Sequence, residues 1–197
     1  MANVQRVIPT PLGHSVAKVV RGSTIFEDAQ SCYLTRTPGT AGNTRSNTRS
    51  YWIKFTQPDD DYDVTVITGG GSDGNNRWHS GLNADKTFYK YERIGGSDKL
   101  NIVTDGACYR DYGCWYHFVE VTDTTNGTGS DRYRFYVNGE RITLSFSTEY
   151  SQDQETLTNA ATPNNIGARY GASNDELCAQ MCEHHLLDGL VVGPEYF

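Results

Sequence analysis

An all-β antiparallel sandwich with long loops and at most one short helix is the fold that these 197 residues predict. Three observations carry it. Residues 114–146 alternate in hydropathy with the two-residue period of a strand. An Asn138-Gly139 pair interrupts that alternation where a tight hairpin turn would fall. The composition, with 20 Gly and 13 Tyr, contains no long run at helical spacing.

Residues 1–21 read as an amino-terminal arm and residues 22–197 as the sandwich. Pro9 and Pro11 interrupt any ladder in the arm. Its apolar positions Val4, Val7, Ile8, Val16, Val19 and Val20 are the expected contacts to a partner. Residues 23–35 suggest a first strand region, with Cys32, Tyr33 and Leu34 entering the core, and 36–47 form a polar loop. Residues 50–56 set Tyr51, Ile53 and Phe55 against Trp52, Lys54 and Thr56. The acidic turn 57–61 then predicts a hairpin with 63–68.

The Gly-rich stretch 69–76 would cradle phosphate only if a helix followed it, and no helix signal does. Strands are expected at 87–94 and 100–104, joined through Gly95-Gly96, with a loop at 105–113. In the next strand Trp115, His117, Val119 and Val121 share one mostly apolar face, and Tyr116, Phe118, Glu120 and Thr122 share the other. Tyr133, Phe135 and Val137 point one way in the strand after it. Residues 148–163 are polar, 164–169 hold a short strand, and 186–192 a last one. Leu177, Met181 and a histidine of the pair 184–185 fall near one stripe, so 174–185 is the single helix candidate.

A net charge of -7 leaves no basic surface for phosphate backbones and excludes nucleic acid as a partner. No apolar run approaches the roughly 20 residues of a membrane-spanning helix. The amino end lacks the continuous apolar core of a secretory signal, so assembly in a host cytoplasm is expected. Five cysteines, an odd number, fit free thiols in a reducing compartment, with a Cys108–Cys114 bridge open on oxidation.

Paired carboxylates for glycoside hydrolysis must share a cleft. Glu120 and Asp123 are three apart, so on a strand they point to opposite faces, and no catalytic residue or cofactor is assigned. Cys178, Cys182, His184 and His185 resemble a zinc set, but two adjacent histidines do not converge well on one ion, and core cysteines beside surface histidines are the better account. Asp123, Asn126 and Asp131 offer oxygens for a weak calcium site, as would any polar loop. Trp78, Tyr109 and Tyr112, with Asn76, Arg77 and Asp111, form a candidate glycan platform in loops. Such aromatics equally suit an oligomer interface.

Tyr33-Leu34-Thr35-Arg36, Tyr51-Trp52-Ile53-Lys54, Trp115-Tyr116-His117-Phe118, the run 131–139, Ile166-Gly167 and Leu187-Asp188-Gly189-Leu190 follow one another in an order that resembles concanavalin A-like, laminin-G-like domains, especially those of tailed-phage structural proteins. That resemblance implies a two-sheet jelly roll over about residues 23–192. It also implies a non-enzymatic virion surface protein, a capsid decoration or cement subunit held to capsid or other virion proteins by its arm, in a homo-oligomer such as a trimer. The alternative is a tail- or fibre-associated module that recognises a host surface glycan.

Overall fold

The computed structural model describes residues 5–6, 18–19, 22–27, 32–56, 63–71, 74–109, 111–169 and 176–197. In chain order its strands are β1 (Gln5–Arg6), β2 (Lys18–Val19), β3 (Thr24–Phe26), β4 (Leu34–Arg36), β5 (Ser46–Phe55), β6 (Val64–Gly70), β7 (Arg77–Leu82) and β8 (Phe88–Ile94). They continue with β9 (Ser97–Thr104), β10 (Tyr116–Asp123), β11 (Tyr133–Val137), β12 (Glu140–Arg141), β13 (Leu144–Thr148), β14 (Asn164–Ile166) and β15 (Ala179–Asp188). Two antiparallel sheets face each other, a six-stranded one in the order β12-β11-β10-β5-β15-β3 and a seven-stranded one in the order β13-β9-β8-β7-β6-β14-β4. This is the two-sheet jelly roll expected. The strand β1 pairs only with β2, so this part of the arm ladders on itself. Of the predicted arm contacts, only the backbone of Val19 is described; Val4, Val7, Ile8, Val16 and Val20 lie outside the described residues.

The core is aromatic. Phe88 of one sheet stacks on Phe135 of the other at 3.9 Å, and Phe118 meets Tyr51, Phe88 and Phe135 edge-on at 5.7, 6.2 and 5.2 Å. These rings come from β5, β8, β10 and β11, which places the centres of both sheets in contact across the core. The Asn138-Gly139 turn is as predicted: both residues have positive φ (52° and 92°), and Val137 pairs directly with Glu140.

Five expectations are corrected. The core face of β10 carries Phe118 and Glu120, the opposite parity to the one expected. Val119 and Val121 are also buried, because residues 190–197 lie over the outer face. There the Thr48 hydroxyl donates to the Leu190 carbonyl at 2.8 Å, the Val192 N–H donates back at 3.1 Å, and Phe197 meets His117 at 6.0 Å. Alternation alone could not tell a face buried by the second sheet from one buried by a terminal segment.

Strands β5 and β6 do not form a hairpin; they belong to different sheets, since β5 takes β10 and β15 as its neighbours. Likewise the strand expected after the Asn-Gly turn divides. Its first part, β12, stays in one sheet, and β13 crosses to the other. Of the helix expected at 174–185, residues 179–185 are instead the start of β15, because a four-residue spacing such as that of Leu177 and Met181 also suits a period of two. Tyr33 and Leu34 are about half exposed, at 51% and 52%, since β4 is a sheet edge.

Candidate functional site

One end of the sandwich is closed by the loop of residues 105–115. Its backbone is tied down where the Cys108 N–H donates to the Lys86 carbonyl at 2.9 Å and the Gly113 N–H to the Phe55 carbonyl at 3.0 Å. Gly113 adopts φ +79°, a left-handed turn that a side chain would disfavour. Tyr109 turns inward and stacks on Phe55 at 4.3 Å, becoming part of the core. Tyr112 and Tyr116 then pack edge-on against Tyr109 at 5.9 and 6.0 Å. The Asp111 N–H donates to the Tyr116 hydroxyl at 3.0 Å, which fixes the exposed Asp111 beside these rings.

The result is a rim with two half-buried aromatic residues, Tyr112 and Trp115, each met by an ammonium group. Lys86 Nζ lies 4.9 Å over Tyr112, and Lys54 Nζ lies 5.4 Å over Trp115. Cation–π contact holds the long lysine stems near the rings and sets an ammonium donor over one face of each. Asp111 adds an acceptor. Apolar ring faces flanked by oriented donors and an acceptor are the components with which a protein surface can bind the apolar face and hydroxyls of a sugar.

The six residues expected to form a glycan platform are not brought together. Asn76, Arg77 and Trp78 sit at the start of β7, at the opposite end of that strand from the loop of residues 83–87 that carries Lys86. Trp78 is fully buried because strand alternation turns it inward, between Arg49 at 4.7 Å and Lys90 at 4.1 Å. Asn76 is occupied in accepting the Gly95 N–H at 2.9 Å, and Arg77 lies 5.8 Å over Tyr91. Only Asp111 and Tyr112 remain at the rim surface. Trp115, Lys54 and Lys86 were missed. Trp115 precedes β10 by one residue, so alternation counted it as sheet face when it belongs to the loop.

The three residues of the weak calcium set are each engaged locally. Asp123 accepts the Thr125 hydroxyl at 2.6 Å, Asn126 accepts the Thr128 N–H at 2.8 Å, and Asp131 pairs with Arg141 at 2.5 Å. One oxygen of each serves its own turn or ion pair, and no group of three or more His, Cys, Asp or Glu able to hold a metal occurs among the described residues. The zinc-like set is spread by the strand, with His184 beside Tyr51 in the core and His185 exposed and 3.1 Å from Glu183. Cys108 and Cys114, the pair open to a bridge, are not joined by a disulfide. Burial pushes the Cys108 thiol up to about 12.

Glu120 is the most heavily engaged carboxylate. Buried at 3% exposure, it accepts from Tyr51 and Ser80 on one oxygen, both at 3.2 Å, and from Tyr133 at 2.9 Å on the other. Lys90 Nζ completes the set at 3.2 Å. Burial acts to raise its pKa, but the charges of Lys90 and Arg49 outweigh that and hold it ionised. Glu92, equally buried, accepts from the Tyr150 hydroxyl and the Leu157 N–H, and burial raises its pKa. Both acids face the interior and stay clear of the rim. A separate groove of about 290 Å³, lined by Ser130, Arg141, Ile142, Thr143, Leu144 and Phe146, lies where the chain crosses between sheets.

Residues 28–191 match the family described as the concanavalin A-like lectin/glucanases superfamily. No curated protein sequence matches the chain. Among solved structures, the chain is similar to the CBM40 of the Ruminococcus gnavus IT-sialidase bound to α2,3-sialyllactose (TM-score 0.57, 15% identity, 83% of this chain and 95% of that one). It is similar to domains LG4-5 of the mouse laminin α1 chain (TM-score 0.60, 11% identity, 96% and 48%). It is also similar to tailspike protein 2 of the Escherichia coli O157:H7 bacteriophage CAB120 (TM-score 0.56, 12% identity, 98% and 25%). At these identities the likeness is one of fold.

Proposed function

The chain belongs to the concanavalin A-like lectin/glucanases superfamily, and we propose that it is a carbohydrate-binding module without catalytic activity, using the Tyr112–Trp115 rim as its binding platform. The observation that carries this reading is the pair of half-buried aromatics on one pinned loop, with Lys54 and Lys86 over them and Asp111 beside them. The superfamily name and the sialyllactose-bound CBM40 of the same fold support a sugar as the ligand class. The non-enzymatic part rests on Glu92 and Glu120, whose oxygens are consumed by interior donors and do not face the rim.

The likeness to a phage tailspike supports a setting in host-surface recognition on a tail or fibre. This reading takes the place of capsid decoration, which drew on the arm, most of which lies outside the described residues. No helix among the described residues is long and apolar enough to cross a membrane.

Replacing Tyr112 and Trp115 together with Ala tests the proposal on a glycan array. Covering an aromatic side chain is worth about 1.5–3 kcal/mol, so at least a tenfold loss of affinity, about 1.4 kcal/mol, is expected, with the far-ultraviolet spectrum of the sheets retained. An array on which the unaltered protein binds nothing overturns the reading, as does undiminished binding by the double variant.

A further inference from the structure

A second polar feature lies inside the sandwich, away from the rim. Arg49 of β5 is 3% exposed, yet its Nε and Nη1 have no acceptor among the described residues. Asn47, two positions away and so on the same face of β5, is 1% exposed and its Nδ2 likewise has none. His184 Nε2 joins them. It reaches the interior because β15 bulges: the register shifts between Cys182 and His185, and Glu183 takes φ +52°. A bulge of this kind re-aims a side chain, and a non-glycine residue held at positive φ marks a position that the surrounding structure constrains. Strand β3 pairs with β15 from Ala179 to Met181, and among the described residues no strand pairs with β15 on that side beyond Met181.

The neighbouring acceptors are taken. Both oxygens of Glu120 are filled by Tyr51, Ser80, Tyr133 and Lys90, and those of Glu92 by Tyr150 and Leu157. Asn164 Oδ1, without a partner, lies on the far side by Trp78 Nε1; a Cβ built on Gly69 would stand 2.7 Å from one and 2.5 Å from the other. A buried guanidinium with two unmatched nitrogens is costly unless an anion or water meets it. Here the unmatched groups around it are the Asn47 amide N–H and His184 Nε2, which donates when the ring proton sits on that nitrogen.

We propose that Asn47, Arg49 and His184 form an internal anion site that takes a halide-sized monovalent anion such as chloride, with Trp78 as its wall. The site lies six residues along β5 from the rim end at Phe55, about 20 Å, so it is independent of sugar binding. Its occupant would neutralise the Arg49 charge and fill donors from both β5 and β15, tying the two strands together.

The first test is crystallographic, on the unaltered full chain grown in sodium bromide, with data at the bromine absorption edge. An anomalous peak within hydrogen-bonding distance of Arg49 Nε or Nη1 is expected. A water there instead, or bromide on the surface only, overturns the proposal. In solution, the unfolding temperature should rise by about 5 °C when sodium gluconate at 0.2 M is exchanged for sodium chloride, because a ligand that binds only the folded state stabilises it in proportion to its occupancy. Equal temperatures in the two salts also overturn it. Arg49→Met should abolish the chloride dependence; if that variant does not fold, the bromide experiment on the unaltered chain decides.

Discussion

Glu120→Gln is expected to destabilise the fold by about 3–5 kcal/mol, the range found when one partner of a buried ion pair is removed. In a chain of this length that lowers the unfolding temperature on the order of 10 °C. The reason is that four donors converge on the carboxylate, and Lys90, 1% exposed, would lose its ion-pair partner. The variant keeps the shape of the side chain, so its cost reports charge and hydrogen bonding with little contribution from packing. Removing both charges in Lys90→Met/Glu120→Leu should cost less than the sum of the single changes, since no buried ion is then stranded. Urea unfolding measures all three. A Glu120→Gln variant within 1 kcal/mol of the unaltered protein would sink the account.

Acid should destabilise this protein through two histidines, His79 and His184. Burial, reinforced by Arg169, Arg77 and Lys90 for His79 and by Arg49 for His184, pushes both imidazoles down to about 3 from an ordinary 6.5. In the unfolded chain each binds a proton below pH 6.5; in the folded chain neither does until about pH 3. The unfolded state therefore binds more protons across that window, and stability is fully present above pH 6.5 and falls as pH drops toward 3. Between pH 5.5 and 4.5 the two histidines contribute the slope of two protons, about 2.7 kcal/mol per pH unit, which the raised pKa of Glu92 offsets in part. His79→Asn and His184→Asn should each remove roughly half of it. A stability that stays flat from pH 6.5 to 4.5 contradicts the prediction.

Strand periodicity was legible wherever one face met the opposite sheet. The inward set Tyr133, Phe135 and Val137, the Asn138-Gly139 turn and the hairpin through Gly95-Gly96 lie where alternation and turn chemistry put them, because each is decided within a few residues. The rim was half legible. Asp111 and Tyr112 stand out as an acid and an aromatic in a Gly-containing loop, whereas Lys54 and Lys86 come from β5 and the β7–β8 loop and reach the rim only through the fold. Trp78 was misplaced because a glycine-rich approach looks the same whether the next aromatic stays in the loop or turns into a strand.

The sequence by itself determined that this is an antiparallel sandwich with a tight Asn-Gly hairpin, since local period and turn residues do not depend on distant partners. Only the tertiary structure decided that β5 and β6 lie in different sheets, that residues 190–197 cover the outer face of β10, and that the bulge in β15 aims His184 beside Arg49. Each of these depends on which of several equally apolar strand faces meet across long stretches of chain. That choice is made by the combined packing of both sheets and leaves no trace in any single segment.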